Sequence, residues 1–463
     1  MIPMRRNSLL ILLLTASVAV SGCSTVGRLN PFKHGDKNVE KAGAGERISI
    51  VNADQKLEVA DALKGQDFFL PDPQGPADWP LPGGTPEQSV LNTDAAPNLS
   101  VAWRRGFGKG SKRGNHVTAP PVVAGGRVFV MDGDAGVSAH DARTGAEVWH
   151  TNLRPSENRR DKEAFGGGLA YADGKLYASS GYRVVAQLDA ATGAVGWRTR
   201  TEEPVHAAPT VVGGRVMVVA IDNTLMTFDA ASGAPGWTYQ ALSEPARILG
   251  ASSPAVSGDT VVASFSSGEL VALRTSNGTD LWSEALSRAS RTNALSEIRD
   301  IPGRPVIFQG DVFAVSHSGI FAATDLRTGQ PRWTLPITGV TSPLPVGDVV
   351  YVVAKDGNVI CASRETGQIY WMRDLNAGRE AKKVGGMLGI GGKKVLKPLW
   401  SSPLLANNRL LIAGTVGDLV VLNAKTGEIQ RTVKLGARTL IGPIAAGGTV
   451  YVVTDEAQLI ALR

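Results

Sequence analysis

The chain has 463 residues, a formal net charge of +6, 54 glycines, 26 prolines, two cysteines and 6% aromatic residues. So small a charge excess, with no basic helix and no aromatic RNA-binding motif, gives a nucleic-acid partner no support, and two cysteines exclude a disulfide framework. The glycine and proline content instead suits short strands joined by tight turns.

Residues 1–22 do not belong to the fold. Arg5 and Arg6 precede the apolar run Leu9–Leu14 and then small residues, the layout of a secretory signal peptide. The segment ends in Val20-Ser21-Gly22-Cys23, which resembles a bacterial lipobox. That resemblance implies that Cys23 becomes the first mature residue and carries acyl chains, and Ser24 after it favours the outer membrane. Several acyl chains, each contributing about 0.8 kcal/mol per buried CH₂, make such an anchor stable. Residues 23–97 are polar and rich in Gly, Pro, Lys and Asp, and they read as the lipidated cysteine followed by a flexible tether. Within this stretch Trp79 is too apolar for free chain and is expected to pack on the folded domain.

Residues 98–463 form one domain built on a repeat. The stretch Asp141 to Trp149, with the spacing Asp-x-x-x-Gly-x-x-x-Trp, returns in copies ending at Trp197, Trp237 and Trp333; copies ending at Trp282 and Trp371 keep Gly278 and Gly367, and a degenerate copy ends at Arg431. Before each copy come an opening residue, an apolar strand, a Gly/Asp/Asn turn, a second strand and a third that runs into the Asp. Four short strands per repeat of about 40–50 residues point to radial repetition. The Thr-Gly turn supplies a residue able to take positive φ, and the Asp side chain can accept hydrogen bonds from the turn amides. Trp103, Trp149, Trp197, Trp237, Trp282, Trp333 and Trp371 lie on outer strands, where each ring can fill the gap against the next sheet. Prolines 121, 209, 254, 305, 343, 403 and 443, with Leu169 in the remaining place, open eight half-repeats. The last stops at Arg463 before its outer strand, and Leu99–Trp103 has the pattern of that missing strand. The expected fold is therefore all-β: an eight-bladed β-propeller of four-stranded antiparallel blades, closed by an N-terminal strand pairing with the C-terminal blade.

Little in the chain carries chemistry. The six histidines show no paired metal-ligand spacing, no cysteine stands near them, and no Gly-x-Ser-x-Gly elbow is present. No metal is expected. Cys361 sits in mid-strand as a small buried hydrophobe. Residues 379–397 form a basic, glycine-rich insertion that lacks the spacing of a phosphate-binding loop, and they read as a surface loop or a contact for anionic groups.

The turn-and-tryptophan repeat resembles that of quinoprotein dehydrogenases, eight-bladed propellers that hold pyrroloquinoline quinone and Ca²⁺. Those enzymes clamp the quinone with a disulfide between adjacent cysteines, which this chain lacks, so no cofactor is expected. Together, the lipobox, tether and eight such blades without a catalytic constellation resemble the BamB family of outer-membrane protein assembly factors. The resemblance implies a non-enzymatic scaffold lipoprotein, anchored on the periplasmic face of the outer membrane. It would bind the POTRA domains of BamA within the β-barrel assembly complex. It also implies a partner surface at Arg247, Ile248 and Leu249, in a stretch similar to the family's Leu-x-Leu-Arg-Gly-x-Ser-x-Pro segment, and at Glu297, Arg299 and Asp300. Other readings are a periplasmic propeller that binds another ligand, such as peptidoglycan, and a quinoprotein dehydrogenase.

Overall fold

A computed structural model describes residues 57–155, 164–244, 252–287, 298–379, 382–384 and 394–463. Cys23 and the segment before it, with Arg247, Ile248, Leu249 and Glu297, lie outside the described residues. Eight four-stranded antiparallel sheets make up the domain. Blades 1 to 7 span residues 122–152, 167–200, 210–240, 255–285, 306–335, 344–374 and 404–434, each a run of four consecutive strands. Blade 8 takes its three inner strands from residues 444–462 and its outer strand, Val101–Gly106, from the other end of the chain. That strand runs antiparallel to Gln458–Leu462, with Trp103 opposite Ala461. Among the described residues no helix is long and apolar enough to cross a membrane.

The apolar runs become inner strands because both of their faces meet protein. Val349–Val353 is buried along its whole length, whereas in the outer strand Glu147–Asn152 only Trp149 is buried. The core lies between blades rather than within them. Phe129 and Trp149 of blade 1, for example, pack with Leu169, Leu176 and Leu188 of blade 2.

One device makes the joints. At Asp141 the carboxylate Oδ1 accepts from the Thr144 amide (2.7 Å) and hydroxyl (2.7 Å), closing a turn in which Gly145 takes φ +73°. Asp189, Asp229 and Asp325 repeat the bonds with Thr192, Ser232 and Thr328. The glycine is needed twice over. A Cβ on Gly193 would lie 2.5 Å from the Trp149 ring of the preceding blade, and Gly145, Gly233, Gly278, Gly329, Gly367 and Gly427 stand under Trp103, Trp197, Trp237, Trp282, Trp333 and Trp371 in the same way. Most of the indoles also donate across the joint, from Trp149 Nε1 to Ala190 O (3.1 Å), for instance, and from Trp282 Nε1 to Leu326 O (2.7 Å).

The degenerate copy has a structural cause. Blade 8 has no turn joining its third strand to an outer one, so blade 7 has no glycine to cover. Arg431 stands where the tryptophan would be, and its Nη1 donates instead to Asn98 O (2.6 Å), on the chain entering the closing strand.

Residues 57–97, part of the stretch read as a tether, lie against the propeller. Ala60 N donates to Ile369 O, Asp348 N to Phe69 O, Gly447 N to Pro76 O, and Trp79 pairs with Val123 in both directions (2.7 and 2.9 Å). Phe68, Trp79 and Leu81 are buried. Much of this attachment is backbone to backbone, which composition does not register. The strap ends in Asn407 N→Thr93 O and Ala96 N→Gly448 O, directly before the closing strand. In the insertion, Lys382–Val384 pairs antiparallel with Lys394–Leu396, so its described ends form a two-stranded ribbon.

Candidate functional site

Eight inner strands surround a central channel, and each enters it through its opening residue. The residue before a proline is held extended, so the chain runs directly along the channel wall. The eight positions that precede the openers are Pro120, Gly168, Ala208, Ser253, Arg304, Ser342, Ser402 and Gly442. Seven are small or cyclic. Arg304 alone carries a long charged side chain. Around this ring Arg304 N donates to Ser342 Oγ (2.8 Å) and Ser342 N to Ser402 Oγ (2.9 Å), linking blades 5, 6 and 7. The spacing is tight: a Cβ on Gly303 would lie 2.4 Å from Thr341 O, and one on Gly168 2.3 Å from the Ala208 Cβ.

The channel holds a cavity of about 450 Å³, lined by residues from the connections into all eight blades. Its wall includes an aromatic group in which His116 meets Phe165 edge-on (centroids 5.0 Å) and Phe165 lies against His206 (4.5 Å). Trp400 also lines it. The strap closes the other end: Tyr171 N donates to Pro80 O, Val256 N to Pro86 O and Ile307 N to Glu87 O, while Gln88 Nε2 reaches Thr210 Oγ1 (3.2 Å) and Pro254 O (3.1 Å). Residues 80–88 thus cross inner strands of several blades, leaving a space of about 60 Å³ beneath the main cavity, with Arg304 and Pro82 lining both.

The charges around the channel differ in their partners. Burial pushes the Asp455 carboxyl up, while the Arg438 and His116 charges draw it back down. Burial alone pushes Arg304 down to about 10, and its Nε is buried with no hydrogen-bond partner among the described residues. On the rim of blades 1 and 2, burial raises the Asp134 carboxyl, but hydrogen bonds from Lys109 and Tyr182 and the Arg154 charge outweigh it and hold the group at about 2. Among the described residues no three His, Cys, Asp or Glu side chains stand together as metal ligands would. Cys361 is a free, fully buried thiol pushed well up by that burial.

Of the residues read as a partner surface, the structure describes two. Arg299 is exposed, whereas Asp300 is buried, and its backbone carbonyl accepts from His317 N (2.8 Å). The sequence reading missed the channel. The signal was available in the blade register, since aligning the eight half-repeats on their opening residues leaves arginine as the one long side chain at the position before.

Tryptophan-docked blades closed around a channel define a repeat propeller of a kind that serves both binding proteins and enzymes. The chain belongs to the BamB family: the family model described as "Outer membrane protein assembly factor BamB" matches residues 133–373 and 382–463. The outer membrane protein assembly factor BamB of Burkholderia pseudomallei is 26% identical over 376 residues, covering 80% of this chain and 90% of the relative. The crystal structure of BamB from Moraxella catarrhalis superposes with a TM-score of 0.64 at 19% identity, over 79% of this chain and 99% of that one. The quinohemoprotein alcohol dehydrogenase of Comamonas testosteroni superposes almost as well, with a TM-score of 0.63 at 15% identity over 83% and 80% of the two chains. At such identities these likenesses establish the fold alone.

Proposed function

We propose that this protein is a non-enzymatic scaffold lipoprotein of the outer-membrane β-barrel assembly machinery, held on the periplasmic face of the outer membrane through acylated Cys23 and bound to the POTRA domains of BamA. The family match along most of the propeller carries the reading. The partner surface comprises Arg247, Ile248, Leu249, Glu297 and Arg299 on the connections into blades 4 and 5. Asp300, buried within the second connection, anchors it.

Co-purification from membranes tests the proposal. The parent should bring down BamA, and Arg247→Ala with Ile248→Ala should weaken that capture by about 2 kcal/mol, near thirtyfold, with the melting temperature unchanged. Equal capture by parent and double variant would move the interface elsewhere. Cys23→Ser should leave exported protein without a lipid anchor, as read by fractionation. Quinone-dependent dye reduction by the purified protein would instead make it an enzyme.

A further inference from the structure

We propose that the central channel is a binding site for a small organic carboxylate, with Arg304 as the group that holds its charge.

The ring of channel-facing positions is asymmetric. Seven of the eight equivalent positions carry Gly, Ala, Ser or Pro, which leaves the channel wide, and the eighth is an arginine that lines both the main cavity and the smaller space beneath it. A buried cation without a counter-ion is costly. Arg304 keeps part of its surface accessible, but its Nε is buried and meets no acceptor among the described residues, and no carboxylate acts on the group to offset its burial. At about 10 it is still charged at neutral pH. A second polar atom on the same wall, Thr118 Oγ1, is likewise buried without a partner among the described residues.

The class of ligand follows from what surrounds the cation. A planar guanidinium presents parallel N–H donors that match a carboxylate. One cation in a wall that is mainly apolar suits a single negative charge on an apolar body; a phosphate dianion would need more donors. The rings of His116, Phe165 and His206 offer flat faces for that body. A volume of about 450 Å³ is within the usual range for small-ligand sites. Asp455, the acidic residue on the wall, is not among the groups that act on Arg304. Closure of one end by the strap limits entry to the face that carries the blade-to-blade connections.

The test is calorimetric titration of the purified full chain with benzoate, benzamide and inorganic phosphate. Benzoate should bind with one-to-one stoichiometry. Benzamide, of the same shape without the charge, should bind at least about tenfold more weakly, the loss expected for one charge-assisted pair, and phosphate should not compete. Arg304→Gln should weaken benzoate at least about tenfold with a melting temperature equal to or above that of the parent. If that variant does not fold, the benzoate and benzamide pair on the parent decides alone. Equal affinity for the two probes, no heat from benzoate at millimolar concentration, or unchanged binding by a folded Arg304→Gln each overturns the site, and competition by phosphate overturns the assignment to carboxylates.

Discussion

Gly193 and Gly174 separate the cost of backbone geometry from that of blade docking. Both take left-handed conformations, with φ +75° and +77°. Alanine at either position therefore bears the same backbone penalty of about 1–2 kcal/mol. At Gly174 nothing lies within 4 Å of an added Cβ, so that penalty is the whole effect. At Gly193 the Cβ would sit 2.5 Å from Trp149 Cε3, 2.6 Å from Cδ2 and 2.9 Å from Thr151 Oγ1. These neighbours are a buried ring and a hydroxyl that donates to Gly193 O (2.7 Å), so neither can retreat freely. Overpacking of this kind adds about 1–3 kcal/mol, and displacing the indole also threatens its bond to Ala190 O (3.1 Å), which contributes about 1 kcal/mol. Gly193→Ala should thus cost about 2–6 kcal/mol and Gly174→Ala about 1–2. Scanning calorimetry of both variants beside the parent reads the difference as a larger drop in melting temperature for Gly193→Ala. Equal drops would mean that the ring moves aside without cost and that tryptophan docking does not fix the joints.

Trp103 Nε1 is buried and has no acceptor among the described residues, whereas Trp282 Nε1 donates to Leu326 O. Trp282→Phe should therefore destabilise by about 1–3 kcal/mol more than Trp103→Phe in urea titrations. Asp134 has a folded pKa of about 2, below its ordinary 3.8, so the stability it contributes is complete above about pH 4 and is lost as pH falls toward 2. That contribution is about 2 kcal/mol, and a melting series from pH 5 to 2 should show a shallower acid decline in Asp134→Asn than in the parent. A chain beginning at Asn98 should melt well below one beginning at Leu57, because it lacks buried Phe68, Trp79 and Leu81; equal melting temperatures would refute the strap as part of the fold.

The architecture was legible because each part of the repeat has its own physical necessity. The Asp and Thr close a turn, the glycine takes a conformation other residues resist, and the tryptophan needs a bare glycine beneath it. Even the failed copy was informative, since Arg431 marks the joint where the next blade has no turn to cover. The strap was not legible in the same way. It holds to the blades in good part through backbone bonds at their edges, such as Trp79 with Val123 and Thr93 with Leu405, and these bonds leave no mark on composition. Nor was the channel, because His116, Phe165, His206 and Arg304 are far apart in sequence and come together only when the ring closes. Arg304 is an ordinary arginine until its place before the opening proline is compared across the blades.

A ring of near-equivalent blades has no preferred place for a site, so specificity must arise where the equivalence breaks. The similar superposition of a BamB structure and an alcohol dehydrogenase makes the same point, because the ring alone does not distinguish them. In this chain the breaks are few and of different kinds. Blade 8 borrows its outer strand from the other end of the chain, which ties ring closure to the docking of the segment just before it. The strap enters one end of the channel and makes the two faces unequal. The connections into blades 4 and 5 lengthen at the proposed partner surface, and the second of them ends at Arg304. That last coincidence carries a mechanical consequence. The exposed Arg299 and the channel-lining Arg304 are five residues apart on one connection, with buried Asp300 and Ile301 between them. A partner that shifts the outer part of this connection can reach the channel only by moving those buried residues. Binding at the two places should therefore be coupled if the connection moves as a unit, and independent if Asp300 and Ile301 hold it fixed.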